Sequence, residues 1–338
     1  MENYKDNVFT KTARIPYLDT MKGLLILAVV LHHINWETLS VFNIENTFFY
    51  EMREKQRCIE VFFMPAFFIV TGICSNFNKS FKNIFIDNFK SLIIPGLIFD
   101  LLLNLNYSSF VLIDYIKRIC LYGSSFWFLT CLFEAKIIYW ILNKYTNIYL
   151  KSIILLSLSI IGFIIETKDF LHYNYYYIRQ FCDMTLYLGV GQLIKNKSID
   201  NTTFKISSII YILGIIIFSI IGQQVPFVTG GYKMYEWWHL PIHWIMSISG
   251  SLLLMFLSKK IGNNKYLEYL GKNTLVIYMT HFTLLEIQLS YIGSYIAHAN
   301  LVYSIIIYLI MFIITTLICL CISYICQLRY TKFLLGKF

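Results

Sequence analysis

Long apolar runs recur along the whole chain, and this feature restricts its fold more than any other. Runs such as SIILLSLSIIGFII (152–165) are continuous, whereas a membrane β-barrel is built from short segments of alternating hydrophobicity. About twenty apolar residues in a helix span a bilayer. Hydrophobic residues make up 57% of the chain and charged residues 14%, against about 25% charged in soluble domains. The sequence therefore predicts an all-α polytopic membrane protein with a single integral-membrane domain over residues 1–338.

The apolar runs predict a bundle of about ten transmembrane helices. A further segment, 108–121, contains Asp114, Lys117 and Arg118 among apolar residues and is predicted to be a helix lying at the membrane interface. The predicted spans are 18–37, 58–75, 91–107, 124–142, 150–166, 176–194, 204–222, 238–258, 272–290 and 301–326.

The distribution of positive charge predicts the orientation of the bundle. In a ten-span arrangement, the segments 76–90, 143–149, 195–203 and 259–271 fall on the same side as both termini. Together with the termini and the lysines at their edges, these segments hold 18 of the 28 lysines and arginines. Because cytoplasmic loops are enriched in these residues, both termini are predicted to be cytoplasmic. This topology accounts for the net charge of +9, so nucleic acid is not expected as a partner.

The first predicted span, YLDTMKGLLILAVVLHHINW (17–36), contains unusual polar residues. Lys22 and His33 are eleven positions apart, which returns them to nearly the same helix face at about 16 Å along the axis. Ionisable groups inside a membrane are costly and usually mark a working site. Asp19, one turn before Lys22, and the neighbouring His32 are secondary candidates. Lys22 is predicted near one membrane surface and His33 near mid-depth.

A second informative stretch, LGKNTLVIYMTHFTLLEIQ (270–288), contains His281 near mid-depth and Glu286 further along. Two histidines at similar depth in distant spans favour a shared polar cavity over two separate core histidines. A histidine with a pKa near 6.5 suits general-base catalysis at neutral pH. Glu60, near the outer boundary of the second span, lies three residues after Arg57, a spacing that permits an ion pair.

No metal site is expected from the sequence. His239 and His243 are four residues apart and would share a helix face, but no third ligand is apparent. The eight cysteines form no paired metal-binding motif, and most lie inside apolar runs, where a small buried hydrophobic side chain is the simpler interpretation.

Four stretches resemble motifs of the membrane-bound acyltransferase family 3, and within it the branch related to fucose 4-O-acetylases. Lys22 and His33 fit the family's signature of an arginine or lysine and a histidine with ten residues between them. The other three resemble the family's Phe-His-Met-Pro…Ser-Gly second span, its Trp-Phe-Leu motif, which begins here at Trp127, and its late Leu-Gly-Lys-Asn-Ser…Tyr…His segment. They occur here as IEVFFMPAFFIVTG (59–72), SFWFL (125–129) and LGKNTLVIYMTHF (270–282).

The resemblance implies a membrane O-acetyltransferase that moves an acetyl group from cytoplasmic acetyl-CoA to a carbohydrate hydroxyl, on a surface polysaccharide or its lipid-linked precursor. Acetyl-CoA is then a substrate, with no bound cofactor. His33 would act as general base or acetyl acceptor, with Lys22 as its basic partner at the cytoplasmic end and His281 as a further catalytic candidate. Asn88 and Ser91 stand where the family often has two arginines, and Phe63 replaces a histidine. Donor-binding candidates are therefore Lys22, Lys82 and Lys90; acceptor-side or supporting candidates are Asp19, His32, Glu60, Trp127 and Glu286.

The competing interpretation is a membrane transporter or acyl-group conduit of the same fold, because charges inside a membrane also serve transport. No internal repeat between the two halves of the chain supports it. The predicted location is the cytoplasmic (inner) membrane of a bacterium. A homo-oligomer is compatible with the sequence.

Overall fold

The computed structural model describes residues 15–105, 111–168, 177–221 and 236–336, and this part of the chain is helical, without strands. A π-helical turn, Glu37–Val41, extends α1, a second one, Phe89–Ile93, joins α3 to α4, and a short 3-10 helix, Lys332–Leu335, follows α13. The α-helices are α1 Pro16–Trp36, α2 Thr47–Cys74, α3 Phe81–Asn88, α4 Ile94–Asn104, α5 Leu112–Tyr122, α6 Trp127–Tyr145, α7 Ile148–Lys168, α8 Ile178–Ile194, α9 Asn201–Ile221, α10 His239–Ile261, α11 Lys265–Lys272, α12 Thr274–Ala297 and α13 Leu301–Gln327.

Seven helices of the described chain are long and apolar enough to cross a membrane, or eight if a bent pair is one span. The seven are α1 with its π turn, α2, α7, α9, α10, α12 and α13; the bent pair is α5 with α6, which meet at 41°. Of the other predicted spans, α4 has 11 residues and α8 has 17. The count of ten therefore stays a prediction. So does the placement of the termini, since residues 1–14 and 337–338 lie outside the described part, as do 106–107, 176 and 222 of the predicted spans.

Local signals explain where several helices begin. Each of four polar residues precedes a helix and accepts a hydrogen bond from a backbone N–H of its first turn, the usual N-cap arrangement. These residues are Asn46 before α2, Ser80 before α3, Asn264 before α11 and Asn300 before α13. The helix predicted at the interface is α5; none of its residues is buried.

The core of the bundle forms around α2. In its apolar window 78% of residues are buried, whereas the corresponding share is 22% for α7, α9 and α13, which therefore lie at the periphery. Helices α2 and α8 approach each other closely at Gly72, where a Cβ would lie 2.3 Å from the Leu188 carbonyl oxygen of α8. A side chain at this position would force α2 and α8 apart.

The Leu-Gly-Lys-Asn stretch also positions helices. A Cβ on Gly271 would lie 1.9 Å from the Asp19 carbonyl oxygen, so α11 contacts the backbone of α1 directly. The side-chain oxygen of Asn273, which follows, accepts hydrogen bonds from Ser323 (2.6 Å) and Gln327 (2.5 Å) of α13. These contacts fix the start of α12 against α1 and α13, and thereby fix the position of the His281 side chain further along α12.

Candidate functional site

His33 of α1 and His281 of α12 lie side by side. Their ring centroids are 4.9 Å apart, and the Phe282 ring packs edge-on against His33 with a centroid distance of 4.7 Å. His281 is buried and His33 is half-buried. Two polar rings from helices at opposite ends of the chain thus share one position within the bundle. Their catalytic role stays a prediction.

The hydrogen bonding of His281 defines its neutral tautomer. Its Nδ1 lies 2.8 Å from the carbonyl oxygen of Ile277, and a carbonyl oxygen can only accept, so Nδ1 carries the proton. In the neutral ring, Nε2 then presents a lone pair. Nε2 is buried and has no hydrogen-bond partner among the described residues. His281 therefore holds an unused proton-accepting atom in the interior.

His32, next to the catalytic candidate His33, pairs with Glu60 of α2. Its Nδ1 lies 2.5 Å from a Glu60 carboxylate oxygen, and its ring meets that of His33 edge-on at 5.0 Å. The sequence spacing predicted a Glu60–Arg57 pair instead. That prediction is wrong, because Arg57 turns back to Glu54, at 2.7 Å, and Glu60 projects towards α1.

A cavity of about 160 Å³ leads towards the two histidines. Residues three or four apart share a helix face, so His33 follows Val29 on the face of α1, and His281 follows Tyr278 on the face of α12. Both Val29 and Tyr278 line the cavity, whose remaining walls are mostly apolar side chains of α2 and α6. The residues that α1 and α12 contribute are Lys22, Ile26, Val29, Thr274, Leu275 and Tyr278.

Lys22 lies at the other end of this face of α1. Its ammonium group lies 2.6 Å from a carboxylate oxygen of Asp19, which is itself buried. Two of the candidate residues, Lys22 and Asp19, thus form an ion pair. Lys82 and Lys90 are exposed on α3 and on the π turn that follows it, and neither lines the cavity. The structure thus brings Lys22, but not the other two lysines, to the cavity that leads to His33.

Tyr278 is a site residue that the sequence analysis missed. Its hydroxyl oxygen accepts a hydrogen bond from the backbone N–H of Phe128 (3.3 Å), one residue after Trp127 at the start of α6. Its ring centroid is 6.2 Å from that of His281. The hydroxyl proton remains free for donation to a bound group. The signal in the sequence was the spacing of three residues between Tyr278 and His281, which places both on one face.

Acidic and aromatic side chains lie beyond the histidines, on the side away from Lys22. Glu37 is fully buried, and neither of its carboxylate oxygens has a hydrogen-bond partner among the described residues. Glu286 of α12 lies close enough to Glu37 for the two carboxyl groups to interact electrostatically. Nearby, the Arg53 guanidinium stacks over the Trp36 ring at 5.0 Å. In the described part of the chain, no group of three or more His, Cys, Asp or Glu side chains is arranged to hold a metal ion.

Comparison with known protein families shows which family the chain belongs to. The family model described as an acyltransferase domain (acyltransferase family 3) matches residues 15–324, which is nearly the whole chain. The chain belongs to this family. The match runs from α1 into α13, so both histidines, Lys22 and the cavity of this acyltransferase domain all lie within it. No curated protein and no solved structure matches the chain.

The family and the apolar helices together identify the protein as an integral membrane protein of the acyltransferase type. Acyl transfer to a hydroxyl requires a group that removes its proton, and His33 and His281 are side chains of that kind.

Proposed function

We propose that this acyltransferase moves an acetyl group from cytoplasmic acetyl-CoA to a hydroxyl of a carbohydrate, on a surface polysaccharide or its lipid-linked precursor. The observation that carries the proposal is the continuous helix face from Lys22, through the cavity, to His33 and His281. A donor that enters at the Lys22 end would bring a narrow acyl-thioester arm to the paired histidines. The fucose 4-O-acetylase-like branch is the part of the family that this proposal favours.

The proposed step is a direct substitution at the thioester carbonyl. The acceptor hydroxyl oxygen attacks the carbonyl carbon, a C–O bond forms, and the C–S bond to CoA breaks. His33 takes the hydroxyl proton and returns it to the departing thiolate, so atoms and charges balance. A transient acetyl-His33 is the other course. In it, a His33 ring nitrogen attacks the carbonyl carbon, the C–S bond breaks and the CoA thiol leaves; the acceptor hydroxyl oxygen then attacks the acetyl group, the C–N bond breaks and the hydroxyl proton passes to the His33 ring, which regenerates free His33.

His281 and Tyr278 would stabilise the reacting groups. The Tyr278 hydroxyl already accepts from Phe128, so its own proton can be donated to the thioester carbonyl oxygen as negative charge develops there. The unprotonated Nε2 of His281 can orient the acceptor hydroxyl. Positioned donors and acceptors of this kind in a dry interior act more strongly than in water.

The acceptor would approach from the side opposite to the donor. Glu37, Glu60 and Glu286 offer carboxylates there, and Trp36 offers a ring face. Carboxylates accept hydrogen bonds from sugar hydroxyls, and an aromatic face packs against the apolar face of a sugar ring. Lys22 would attract the anionic part of acetyl-CoA, with Lys82 and Lys90 as further cations on the predicted cytoplasmic side.

Analysis of surface glycans in cells that express His33→Ala tests this function. We expect ester-linked acetyl on the polysaccharide, measured by NMR before and after mild alkali, to fall to the level of cells without the protein. Immunoblots of membranes confirm equal amounts of each variant. His298→Ala, an exposed histidine at the end of α12, is the matched control and should retain wild-type acetylation. Unchanged acetylation in His33→Ala would exclude the catalytic assignment and favour transport.

A further inference from the structure

Lys136 of α6 has an unusual environment for a cation inside a helical bundle. Its ammonium group donates to the side-chain oxygen of Asn88, at 2.8 Å, and it forms no ion pair with a carboxylate in the described part of the chain. Asp87, the residue before Asn88, is paired with Lys79 at 2.8 Å. A half-buried ammonium held only by a neutral amide is costly. This environment points to an anionic partner that binds from outside the chain.

Lys136 lies between two cavities on one face of α6. Leu129 and Leu132 line the apolar cavity that leads to the histidines. Asn143, seven residues or about 10 Å beyond Lys136, lines a second cavity of about 380 Å³. The end of α2 passes the cavities in the same order. Thr71, within the helix, lines the first cavity, and Ser75, directly after the helix, lines the second. The two cavities are therefore successive along both helices.

The second cavity differs from the first in its chemistry. Its walls carry mainly side-chain amides, which both donate and accept hydrogen bonds, together with one lysine. Such walls suit a neutral, hydrogen-bonding group such as a purine base with its ribose. The amide and lysine side chains are those of Asn76, Asn78, Asn143, Gln192, Asn196 and Lys195.

Positive charge is concentrated where the cavities approach each other. Three ammonium groups, those of Lys22, Lys136 and Lys195, and one carboxylate, that of Asp19, which pairs with Lys22, lie within electrostatic reach of the end of α2 at Cys74. Lys22 lines the apolar cavity and Lys195 the polar one. A ligand that fits both would have a narrow apolar arm, an anionic middle and a polar, hydrogen-bonding end, in that order.

We propose that Lys136 is the residue that binds the phosphates of the acyl donor, with the thioester arm in the apolar cavity and the nucleotide end in the Asn143 cavity. This assignment rests on the proposed function, because an acyl-CoA has these three parts in this order. Lys136 is thus a positioning residue, about two turns of α6 away from Phe128, which contacts Tyr278, and it takes no part in bond making.

The test compares two donors that differ only in the part that Lys136 would bind. Acetyl transfer to endogenous polysaccharide is measured in inverted membrane vesicles with acetyl-CoA and with S-acetyl-N-acetylcysteamine, a thioester without phosphates or nucleotide. In Lys136→Met we expect KM for acetyl-CoA to rise about 10- to 100-fold, as for the loss of one charge-assisted hydrogen bond. The rate with the short thioester should not change. Lys136→Arg should recover part of the loss, and Lys144→Met, at an exposed position of the same helix, is the matched control.

A second variant, Asn143→Asp, distinguishes a loss of donor binding from misfolding of Lys136→Met. Asn143 accepts a hydrogen bond from Lys151, at 2.7 Å, so Asn143→Asp keeps that contact while adding negative charge to the polar cavity. It should raise KM for acetyl-CoA alone. Equal losses with both donors, or no loss with either, would overturn the assignment of Lys136.

Failure of the proposed function gives a different result. Wild-type vesicles would then transfer acetyl from neither donor, while binding can still be tested. Purified protein is titrated with adenosine 3′,5′-bisphosphate, the nucleotide end of CoA, by calorimetry. Binding by wild type that is lost in Lys136→Met supports the anion site without any transfer assay. Equal binding by both proteins contradicts it.

Discussion

The rings of His33 and His281 lie 4.9 Å apart, although one belongs to the first helix of the chain and the other to the twelfth. The helix contacts around Gly271 and Asn273 hold α12 against α1 and α13, so the pairing follows from backbone packing and does not require a bound ligand. In the proposed reaction this fixed pair would be preorganised, which is the condition for electrostatic catalysis in a dry interior.

The first prediction separates the two nitrogens of His281. In His281→Asn, the amide N–H₂ can still donate to the Ile277 carbonyl, but the acceptor at the Nε2 position is lost. We expect kcat for acetyl transfer to fall about 10²- to 10⁴-fold, with thermal stability close to wild type. His298→Asn should have no effect on either. A kcat near wild type in His281→Asn would show that Nε2 takes no part in the reaction.

The second prediction concerns the pair His32 and Glu60, since His32 is the alternative to His33 as base. If the pair only orients His33, Glu60→Gln and His32→Asn should each lower kcat moderately, and the double variant should be no worse than either single one. The double-mutant cycle formed by these variants should then show a coupling energy between His32 and Glu60 of about 1 kcal/mol or more. If His32 is itself the base, His32→Asn should abolish transfer as completely as His33→Ala, whatever residue occupies position 60.

Much of this site could be predicted from the sequence by helix periodicity. The distances from Lys22 to Ile26, Val29 and His33 are local, and a helix of known pitch fixes which of them share a face. The pairing of helices is not local. Glu60 was expected to reach Arg57 three residues away, but it contacts His32, on another helix. Likewise, nothing in the spacing of α6 indicated that Lys136 meets Asn88.

The ends and lengths of helices were predicted less well than their positions. Helices occur at all ten predicted places, yet α4 and α8 are shorter than a simple span. For α4 the reason is that the helix continues backwards through the π turn Phe89–Ile93 into the amphipathic α3. In the sequence, Pro95 indicates the start of a helix, because proline is common in the first turn. In the structure, α4 begins at Ile94 directly after the π turn, and Pro95 is tolerated in this first turn.

The third prediction tests whether Gly271 is structural. In Gly271→Ala, the new Cβ would meet the Asp19 carbonyl oxygen of α1, and backbone atoms cannot move aside as a flexible side chain does. We expect a loss of about 1–3 kcal/mol in unfolding free energy, measured as a lower thermal midpoint in detergent. Gly96→Ala is the control, because its Cβ would first meet a Leu129 methyl group at 3.4 Å. Equal midpoints would show that α11 can shift without cost.

The last prediction concerns Lys22 and the donor. Lys22→Met removes the ion pair with Asp19 as well as a cation at the cavity, so stability and binding must be separated. The double variant Asp19→Asn with Lys22→Met removes both charges and should recover much of the stability lost in the single variant.

If Lys22 binds the donor, acetyl-CoA affinity should remain about tenfold or more below wild type in that double variant, as measured by calorimetry. Lys22→Arg, which keeps the charge, should retain most of the affinity, and Lys265→Met, an exposed lysine on the adjacent α11, should leave it unchanged. Recovery of both stability and affinity in the double variant would show that Lys22 serves only to neutralise Asp19, and the donor cation must then be sought among Lys82, Lys90 and Lys136.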